Sequence, residues 1–575
     1  MQHWIYTAAQ FNIKEPVSVS QHLNSRANNM PLKDAAVDSS SQDHSSLDPE
    51  KNIPEPALEE AVEDESGYLT GLTLGLVVMG LCLAVLLVGL DNSILATAIP
   101  TITTKFNSLD DVGWYGSAFL VSVCALQPIS GKFFQYFSLK WTYLVFLTIF
   151  EIGSLICATA VNSVMLIVGR AIAGAGAAGL FSGALVILAH SVPLRQRPIY
   201  TGCIASMFSI SNVVGPILGG AFTQHATWRW CFYINLPLGA ITAVILVFFF
   251  SPHERATTKQ SLSYKIKHLD LPGLAIFIPA VVMVLLAVQW GGTTHPWKSA
   301  TVIGLFIGFG VLICLFAAWQ WHLQDEASIP PRIMGQRSVY SAAAVVFMGL
   351  GSVQLIAYYL PMWFQVIKDD TPLESGIRFL FSVLGSLLGS IIPGGLVTAY
   401  GHFNPWLFFG CILVAISGGI FSTFDLQTGN SMINGIQVLG GIGASCVIQM
   451  PLIGLMSLIP QTDLPTATSI AVFFQFFGGA IFLGIGNNIF VSRLVSELHK
   501  YTPGLDAQMA VRAGAEGFRK VVQDADGDLQ MGLLAYSEAL TTVFYLCAAG
   551  AVVAFVCSFG MGWRSVREKG RVGVK

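Results

Sequence analysis

Three ionisable side chains lie inside apolar stretches of the chain. Asp91 lies in "LDNSILATAIPTI", Glu151 in "LVFLTIFEIGSLI" and Arg170 in "LIVGRAIAGAGAAG". An ionisable group at mid-bilayer costs about 2.5–3.5 kcal/mol on insertion scales, so such groups usually face a cavity or a partner. Because the guanidinium of Arg170 is always charged, it would keep a nearby carboxylate ionised until a proton or a cationic substrate competes. The three residues are therefore candidates for proton coupling, and the alternative is a buried ion pair that only fixes helix register.

These residues belong to a chain that is apolar along most of its length. Of 575 residues, 53% are hydrophobic and 11% are charged, whereas soluble proteins carry about 25% charged residues. Apolar runs long enough to span a bilayer recur after residue 70. The sequence therefore predicts an all-α fold, a polytopic membrane bundle of about fourteen transmembrane helices. The predicted spans are 72–99, 113–131, 141–160, 164–189, 199–222, 230–250, 271–290, 300–320, 339–363, 377–399, 405–424, 434–458, 467–491 and 537–562.

The distribution of Lys and Arg between the loops predicts the orientation of these spans. With the N-terminus inside, the cytosolic loops and the C-terminal tail hold fifteen Lys or Arg, and the short outer loops hold five. Basic residues concentrate on the cytosolic side, so both termini are expected there. At about 1.5 Å per residue, Asp91, Arg170 and Glu151 then lie roughly 12, 10 and 14 Å below the outer ends of their helices. The three residues are expected at a similar depth.

The chain also divides by composition and by helix count. Residues 1–68 hold four Lys or Arg against twelve Asp or Glu, and this composition predicts a disordered, acidic cytosolic tail. Two halves of six helices leave one extra pair, which we expect after the long polar loop that follows the sixth span. The predicted segments are an N-terminal six-helix half (69–252), a cytosolic linker with the inserted pair (253–337), a C-terminal six-helix half (338–562) with an extracellular loop (492–536), and a cytosolic C-tail (563–575).

Small residues and a proline interrupt the fifth span, in "SISNVVGPILGGAF". Ser211, Gly215 and Gly219 are four residues apart, so they form a smooth stripe on one helix face, which Gly220 is expected to widen. Pro216 frees a backbone carbonyl and permits a bend. Close helix packing in lipid depends on such small residues. We interpret the stripe as a contact near the seam between two halves that rock, and a static packing face is the alternative.

Several motifs together resemble those of the major facilitator superfamily. "GPILGG", with Ser211 ahead of it, resembles the fifth-helix antiporter motif, and "LDNSILATAIPTI" resembles the first-helix motif of the fourteen-span drug:proton antiporter branch. "LIVGRAIAGAGAAG" is similar to the fourth-helix motif, with Arg170 in the arginine position and Ala173 where Gln is usual. "WRWCFYINLPLG" is similar to the start of the sixth helix. The resemblance implies a transporter in which Asp91 and Arg170 take part in transport.

The loop between the second and third spans resembles the family's loop motif but departs from it. In "GKFFQYFSLK", Gly131, Lys132 and Lys140 are motif positions, while Gln135 stands where the family has Asp and Ser138 where it has Gly. The resemblance implies that the family's carboxylate helps to latch the cytoplasmic side through charge contacts. Because Gln135 can hydrogen-bond but cannot form an ion pair, a latch in this chain should be weaker or built differently.

The second half has no Asp or Glu well within its predicted spans, since Glu538 stands at the start of the last one. It offers amides and aromatic rings instead, and the candidates for a substrate cavity are Gln354, Tyr358, Gln449 and Gln475. A cavity lined by aromatic rings and amides suits neutral or amphipathic organic molecules. We therefore expect ion coupling in the first half and much of the substrate surface in the second.

Other kinds of chemistry lack a sequence signature. The chain has no GxxxxGK[ST] motif for ATP, its His and Cys residues show no metal-ligand spacing, and its short basic runs flank spans rather than forming a nucleic-acid surface. The ten cysteines lie in or beside apolar segments without a CxxC motif, which is typical of small core residues. The sequence predicts no enzyme, cofactor, metal or nucleic-acid partner.

The combined prediction is a secondary active transporter that exports small organic compounds against protons by alternating access. The motifs resemble those of fungal toxin and multidrug exporters, which implies a plasma-membrane location, with the vacuolar membrane as the alternative. A monomer in lipid is expected. Two other functions stay open, namely uptake of a solute such as a siderophore and signalling by a nutrient sensor that does not transport.

Overall fold

All regular secondary structure that the computed structural model describes is helical. The structure describes residues 68–106, 111–252, 256–292, 294–503, 505–524 and 528–567. Nearly all of the predicted acidic tail and the end of the predicted C-tail lie outside these residues. The helices are α1 (Gly71–Ser93), α2 (Leu95–Phe106), α3 (Val112–Tyr136), α4 (Leu139–Ala158), α5 (Ser163–Ser191), α6 (Arg197–His225), α7 (Trp230–Tyr233), α8 (Asn235–Phe249), α9 (Leu262–Lys267), α10 (Leu271–Trp290), α11 (Ala300–Leu323), α12 (Pro331–Met334), α13 (Arg337–Ile367), α14 (Pro372–Tyr400), α15 (Asn404–Phe421), α16 (Asn430–Leu458), α17 (Leu464–Tyr501), α18 (Ala507–Asp524) and α19 (Leu529–Ser558).

Fourteen helical segments among the described residues are long and apolar enough to cross a membrane. The predicted helical membrane bundle is confirmed, and the protein is a multi-pass membrane protein. The first predicted span forms two helices, α1 and α2, which are joined at Ile94. The backbone of Ile94 keeps helical dihedral angles (φ −65°, ψ −29°). We call the end of the bundle at which α1 begins the proximal end and the opposite end the distal end.

Local sequence fixes where several of these helices begin. The side chain of Asn162 accepts a hydrogen bond from the Met165 backbone at the start of α5, and Thr371 and Glu374 form a capping box at the start of α14. Such caps pair backbone N–H groups that have no partner inside the helix. The spans therefore begin at polar residues placed just before the apolar runs.

The segment predicted as an extracellular loop, 492–536, is mostly helical. Helix α17 continues to Tyr501, α18 follows, and α19 already begins at Leu529. The predicted span 467–491 ends where the apolar run meets the first charged residues, within the length of α17. The helix nevertheless continues because Leu494 and Leu498 keep a buried apolar face, 1% and 0% exposed. The buried carboxylate of Glu497 pairs with Arg493 and Lys500 on the same helix.

The helices pack as two bundles with one pair between them. Helices α1–α8 pack on one another, as do α13–α17 with α19, and α10 of the inserted pair packs against α3 and α17. The two bundles meet where α3 contacts α17 and where α6 contacts α14. We call this meeting surface the seam.

The small residues of α6 pack against α1 and α2. The Ser93 hydroxyl donates to the Ser211 carbonyl over 2.7 Å. A Cβ added at Gly215 would lie 2.9 Å from the Ile94 nitrogen, and one at Gly219 would lie 2.5 Å from the Ile94 carbonyl oxygen. These approaches are too close for a larger side chain, so the stripe brings two backbones together.

Two parts of the interpretation of this stripe are wrong. The stripe faces α1 and α2 inside the first bundle, whereas α6 meets α14 at the seam with other residues. Gly220 does not widen it, because a Cβ there would have no atom within 4 Å. Helical spacing showed that these residues share one face of α6 but could not show which helix packs against that face.

Pro216 lies inside α6 without ending the helix.

Alanine substitutions at the two adjacent glycines should separate packing from helix propensity. Gly219→Ala should lower the melting temperature of the purified protein, because its methyl group collides with the Ile94 carbonyl and overpacking costs about 1–3 kcal/mol. Gly220→Ala is the matched control and should leave the melting temperature equal or slightly higher, since alanine favours the helix by up to about 1 kcal/mol. Equal melting temperatures for the two variants would contradict this packing.

Candidate functional site

Asp91 and Arg170 form an ion pair that is wholly buried within the first bundle. A terminal nitrogen of Arg170 donates to the Asp91 carboxylate and, over 3.2 Å, to the Asp91 carbonyl. Both side chains are 0% exposed. The Nε of Arg170 donates to the Tyr115 carbonyl over 2.8 Å, and its guanidinium lies 4.5 Å from the centre of the Phe119 ring. The structure therefore brings two of the three predicted coupling residues into contact.

Asn235, at the start of α8, holds the other oxygen of the same carboxylate. Its amide nitrogen donates to Asp91 over 3.3 Å and to the Ser154 hydroxyl over 3.0 Å, and the residue is 0% exposed. Asn235 lies in the motif "WRWCFYINLPLG" but is not among the residues predicted to couple protons. A polar amide in an otherwise apolar span is the signal that could have found it.

Glu151 lies close to this cluster without bonding to it. Neither carboxylate oxygen has a hydrogen-bond partner in the structure, although both atoms are buried. The side chain lies against Gly239 of α8, where an added Cβ would come within 1.8 Å of Oε1. Ser154, which bonds to Asn235, is three residues further along α4. A polar series thus runs from Arg170 through Asp91, Asn235 and Ser154 and ends one helical turn from Glu151.

A cavity opens along the seam between the two bundles. It contains about 930 Å³ of space not filled by protein atoms, part of it open to solvent. None of the described residues that line it is Asp, Glu, Lys, Arg or His. The lining residues are Phe181, Ala205, Phe208, Ser209, Asn212, Leu350, Val353, Gln354, Ile356, Ala357, Phe379, Ser382, Val383, Ser386, Ser390, Phe421, Gln437, Gly440, Gly441, Ala444, Ser445, Ile448 and Gln475.

Of the four predicted cavity residues, the structure places two in this lining. Gln354 and Gln475 line the cavity. Gln449 does not, because its amide nitrogen donates to the Pro198 carbonyl over 3.2 Å across the seam. Tyr358 is not among the lining residues either, although it lies one helical turn after Gln354 on α13 and 51% of its surface is exposed. Residue type alone could not show which face of its helix each side chain occupies.

At the proximal end of the cavity the seam is closed by backbone contacts. A Cβ at Gly131 of α3 would lie 2.9 Å from the Pro465 carbonyl oxygen of α17. One at Gly202 of α6 would lie 2.5 Å from the Ser390 carbonyl oxygen of α14. Small residues therefore let the two bundles touch at the end predicted to be cytosolic.

The loop motif residues take part in this proximal contact. Gln135 accepts a hydrogen bond of 3.3 Å from the Thr466 hydroxyl across the seam. Lys132 is fully buried and donates over 3.2 Å to the Asp325 carbonyl, just after α11 of the inserted pair. Lys140 stays within the first bundle and donates to the Val247 carbonyl over 2.6 Å.

Arg332 extends this network from the inserted pair to the second bundle. Its Nε donates to Asp325 over 2.8 Å, and its two terminal nitrogens donate to the two oxygens of Asp463 over 2.9 and 3.0 Å. The hydrogen bonds that Arg332 donates to Asp463 and Asp325 raise the pKa of Arg332 above its ordinary value. The short segment 325–332 thus ties α3 to the start of α17 through charged groups.

Comparisons with known proteins agree with this architecture. A profile of the Major Facilitator Superfamily matches residues 81–483. The "MFS-type transporter astH" of Aspergillus oryzae is 44% identical over 507 residues, which are 88% of this chain and 90% of that protein. The "MFS-type efflux pump MFS1" of Trichophyton rubrum is 44% identical over 87% of this chain and 94% of that protein. The "Efflux pump aflT" of Aspergillus parasiticus is 41% identical over 89% of this chain and 99% of that protein.

Solved structures with the same fold are distant in sequence. The human organic anion transporter MFSD10 (TETRAN) superposes with a TM-score of 0.53 at 13% identity, covering 83% of this chain and all of that one. A double-tryptophan mutant of XylE gives a TM-score of 0.53 at 12% identity, covering 86% of this chain and 96% of the other. The family profile, the fungal relatives and the fold agree, and the chain belongs to the Major Facilitator Superfamily.

Proposed function

We propose that the protein exports small organic compounds across the fungal plasma membrane in exchange for protons, by alternating access. The relatives named as efflux pumps support the direction of transport. The buried pair of Asp91 and Arg170 is the observation that carries the proton coupling, because it couples one titratable carboxylate to one permanent charge. The termini are cytosolic and the transporter acts as a monomer in this proposal, so the proximal end faces the cytosol.

The proton acts in this mechanism by breaking the ion pair. While Asp91 is ionised, Arg170 neutralises it and the site carries no net charge. A proton that enters from the distal side neutralises the carboxylate, so the guanidinium of Arg170 loses its charged partner and the site gains one positive charge. Leaving a buried charge unpaired is costly. The protonated site is therefore driven toward an arrangement in which the proton leaves to the cytosol.

The stripe of small residues is the route by which this change reaches the substrate cavity. Asp91 lies between Gly89 and Ser93 on α1, and both of these residues contact Ser211 of α6. The neighbouring Asn212 on α6 lines the seam cavity. A shift of α1 thus moves α6 against α14. Because the backbones touch with no side chains between them, small shifts are transmitted directly.

Gln135 is uncharged and cannot form an ion pair. In this proposal the inserted helix pair supplies the charged part of the cytosolic latch. Lys132 and Arg332 both engage Asp325, and Arg332 also engages Asp463. The latch therefore consists of an amide contact at Gln135 and a charged bridge through the segment 325–332. In this proposal the bridge opens when the cavity turns to the cytosol.

Replacing the coupling carboxylate should abolish proton-driven transport. Tritiated estrone serves as the probe, because it is a neutral polycyclic compound and the seam cavity has an uncharged lining. Inverted vesicles that contain the Asp91→Asn variant should lose uphill uptake of this probe under an imposed pH gradient, because Asn cannot bind and release a proton. The matched control is Glu497→Gln, which removes a buried carboxylate that pairs with Arg493 and Lys500 on α17, away from the site. That variant should keep the pH-driven uptake. Normal pH-driven uptake by Asp91→Asn would refute the coupling role.

Breaking the charged bridge should loosen the proximal end. Arg332→Gln should speed amide hydrogen exchange severalfold in peptides that cover the end of α3 and the start of α17, since Asp463 then loses its bidentate partner. Arg337→Gln is the control, because Arg337 is exposed and donates to the Phe559 carbonyl outside the bridge. The same exchange rates in both variants would rule out a latch at Arg332.

A further inference from the structure

The two walls of the seam cavity differ in chemistry. On the side of the first bundle, the rings of Phe181 and Phe208 lie 6.3 Å apart between their centres and present apolar surface. On the side of the second bundle, hydroxyl groups recur every fourth residue along α14, at Ser382, Ser386 and Ser390. This spacing puts the three hydroxyl-bearing residues on one helix face. The second-bundle side also carries Phe379 and Phe421, and the first-bundle side carries Ser209 and Asn212. We call the side with Phe181 and Phe208 the aromatic wall, and the side on which the serine hydroxyls are concentrated the polar wall.

Part of the polar wall is held by hydrogen bonds within the protein. The Ser382 hydroxyl donates to the Gln437 amide oxygen over 3.2 Å. The Ser445 hydroxyl donates to the Ser386 carbonyl over 2.7 Å. These bonds fix α14 to α16 and orient the Gln437 side chain, so the wall is preformed.

Three polar atoms of the lining are left without a partner. They are the Gln437 amide nitrogen, the Ser390 hydroxyl and, on α17, the Gln475 amide oxygen. Their residues are 0%, 1% and 5% exposed. A buried polar atom without a partner costs about 1–3 kcal/mol, so such atoms are rare in folded proteins and need an explanation. The three atoms are themselves closed off from solvent, so a ligand in the cavity meets them only after a small shift of the neighbouring side chains. They would then offer one donor, one hydroxyl that can donate or accept, and one acceptor.

The lining also lacks any group that could neutralise a charged ligand. None of the described lining residues is ionisable with a charge near neutral pH. An ion that entered would lose its water without gaining a partner of opposite charge, which is strongly unfavourable. An uncharged ligand loses less, and its flat apolar face can stack on the aromatic wall.

We propose that this cavity selects uncharged, rigid polycyclic molecules that carry a carbonyl or ether oxygen at one end and a hydroxyl group at the other. The ligand oxygen accepts from the Gln437 amide nitrogen, and the ligand hydroxyl donates to the Gln475 amide oxygen. Ser390 adds a hydrogen bond to either group. This proposal rests on the proposed function in one respect, because it takes this cavity as the transport site. Binding of the ligand itself does not require proton coupling.

Three probes with one carbon skeleton test this selection. Estrone is neutral and has a carbonyl at one end and a hydroxyl at the other, estrane lacks both groups, and estrone 3-sulfate is an anion. Binding to the purified full-length protein in detergent is measured by equilibrium dialysis. Estrone should bind at least tenfold more tightly than the other two. Equal binding of the sulfate, or no binding of estrone up to its solubility limit, would overturn the proposal.

Variants locate the binding within the cavity. Gln437→Leu and Gln475→Leu should each weaken estrone binding about tenfold and leave estrane binding nearly unchanged, and Ser390→Ala should weaken estrone binding severalfold with the least risk to the fold. Gln449→Leu is the control, since it removes a buried amide of α16 that lies outside the lining. Its estrone binding should match that of the original protein. Unchanged binding in all three cavity variants would contradict the proposal.

The coupling variant separates this proposal from the function on which it rests. Asp91→Asn should bind estrone like the original protein while losing uphill transport. If Asp91→Asn transports estrone uphill normally and the cavity variants lose binding, the proton coupling is wrong and the substrate class stands. If pH-driven export of another compound persists in a protein that does not bind estrone, the substrate class is wrong and the transport function stands.

Discussion

The ion pair between Asp91 and Arg170 is the interaction on which this molecule depends. Both charges are removed from solvent, and removing one partner of a buried pair typically costs about 3–5 kcal/mol because the other charge is left unpaired. Asn235, Tyr115 and Phe119 surround the pair and hold it in one geometry. An unpaired charge buried in lipid is unfavourable, so the site is stable only while the charges of Asp91 and Arg170 cancel. Protonation of Asp91 would end this cancellation.

Helix packing connects the ion pair to the seam through α1 and α6. Asp91, the proposed coupling residue, lies on the same helix as the small residues that touch α6, and α6 in turn lines the cavity. The small-residue stripe lies inside one bundle, so in the proposed mechanism it links the ion pair to the seam rather than forming the seam itself. At the proximal end the two bundles meet through glycines and through a charged bridge that the inserted pair provides. The extra helices thus contribute to the contact between the bundles.

Much of this architecture could be predicted from the sequence because the signals are local. Apolar runs give the fourteen spans, and the cost of charge in lipid singles out Asp91 and Arg170. The contacts that could not be predicted depend on which face of a helix packs against which neighbouring helix. Tyr358 and Gln449 have suitable side chains but are not part of the cavity lining, while Ser382 and Gln437 were passed over because serines and amides in a span have many ordinary roles. The end of α17 was missed because burial of Leu494 and Leu498 keeps a helix going where mean hydropathy falls.

The central claim is that Asp91 gains and loses a proton as part of the transport cycle. The most direct measurement is the infrared difference spectrum of the reconstituted protein between alkaline and acidic pH, recorded for the original chain and for Asp91→Asn. If Asp91 titrates, a carbonyl band from a protonated carboxyl group should appear on acidification in the original chain and be missing in the variant. Identical difference spectra for the two proteins would show that Asp91 does not titrate and would contradict the account.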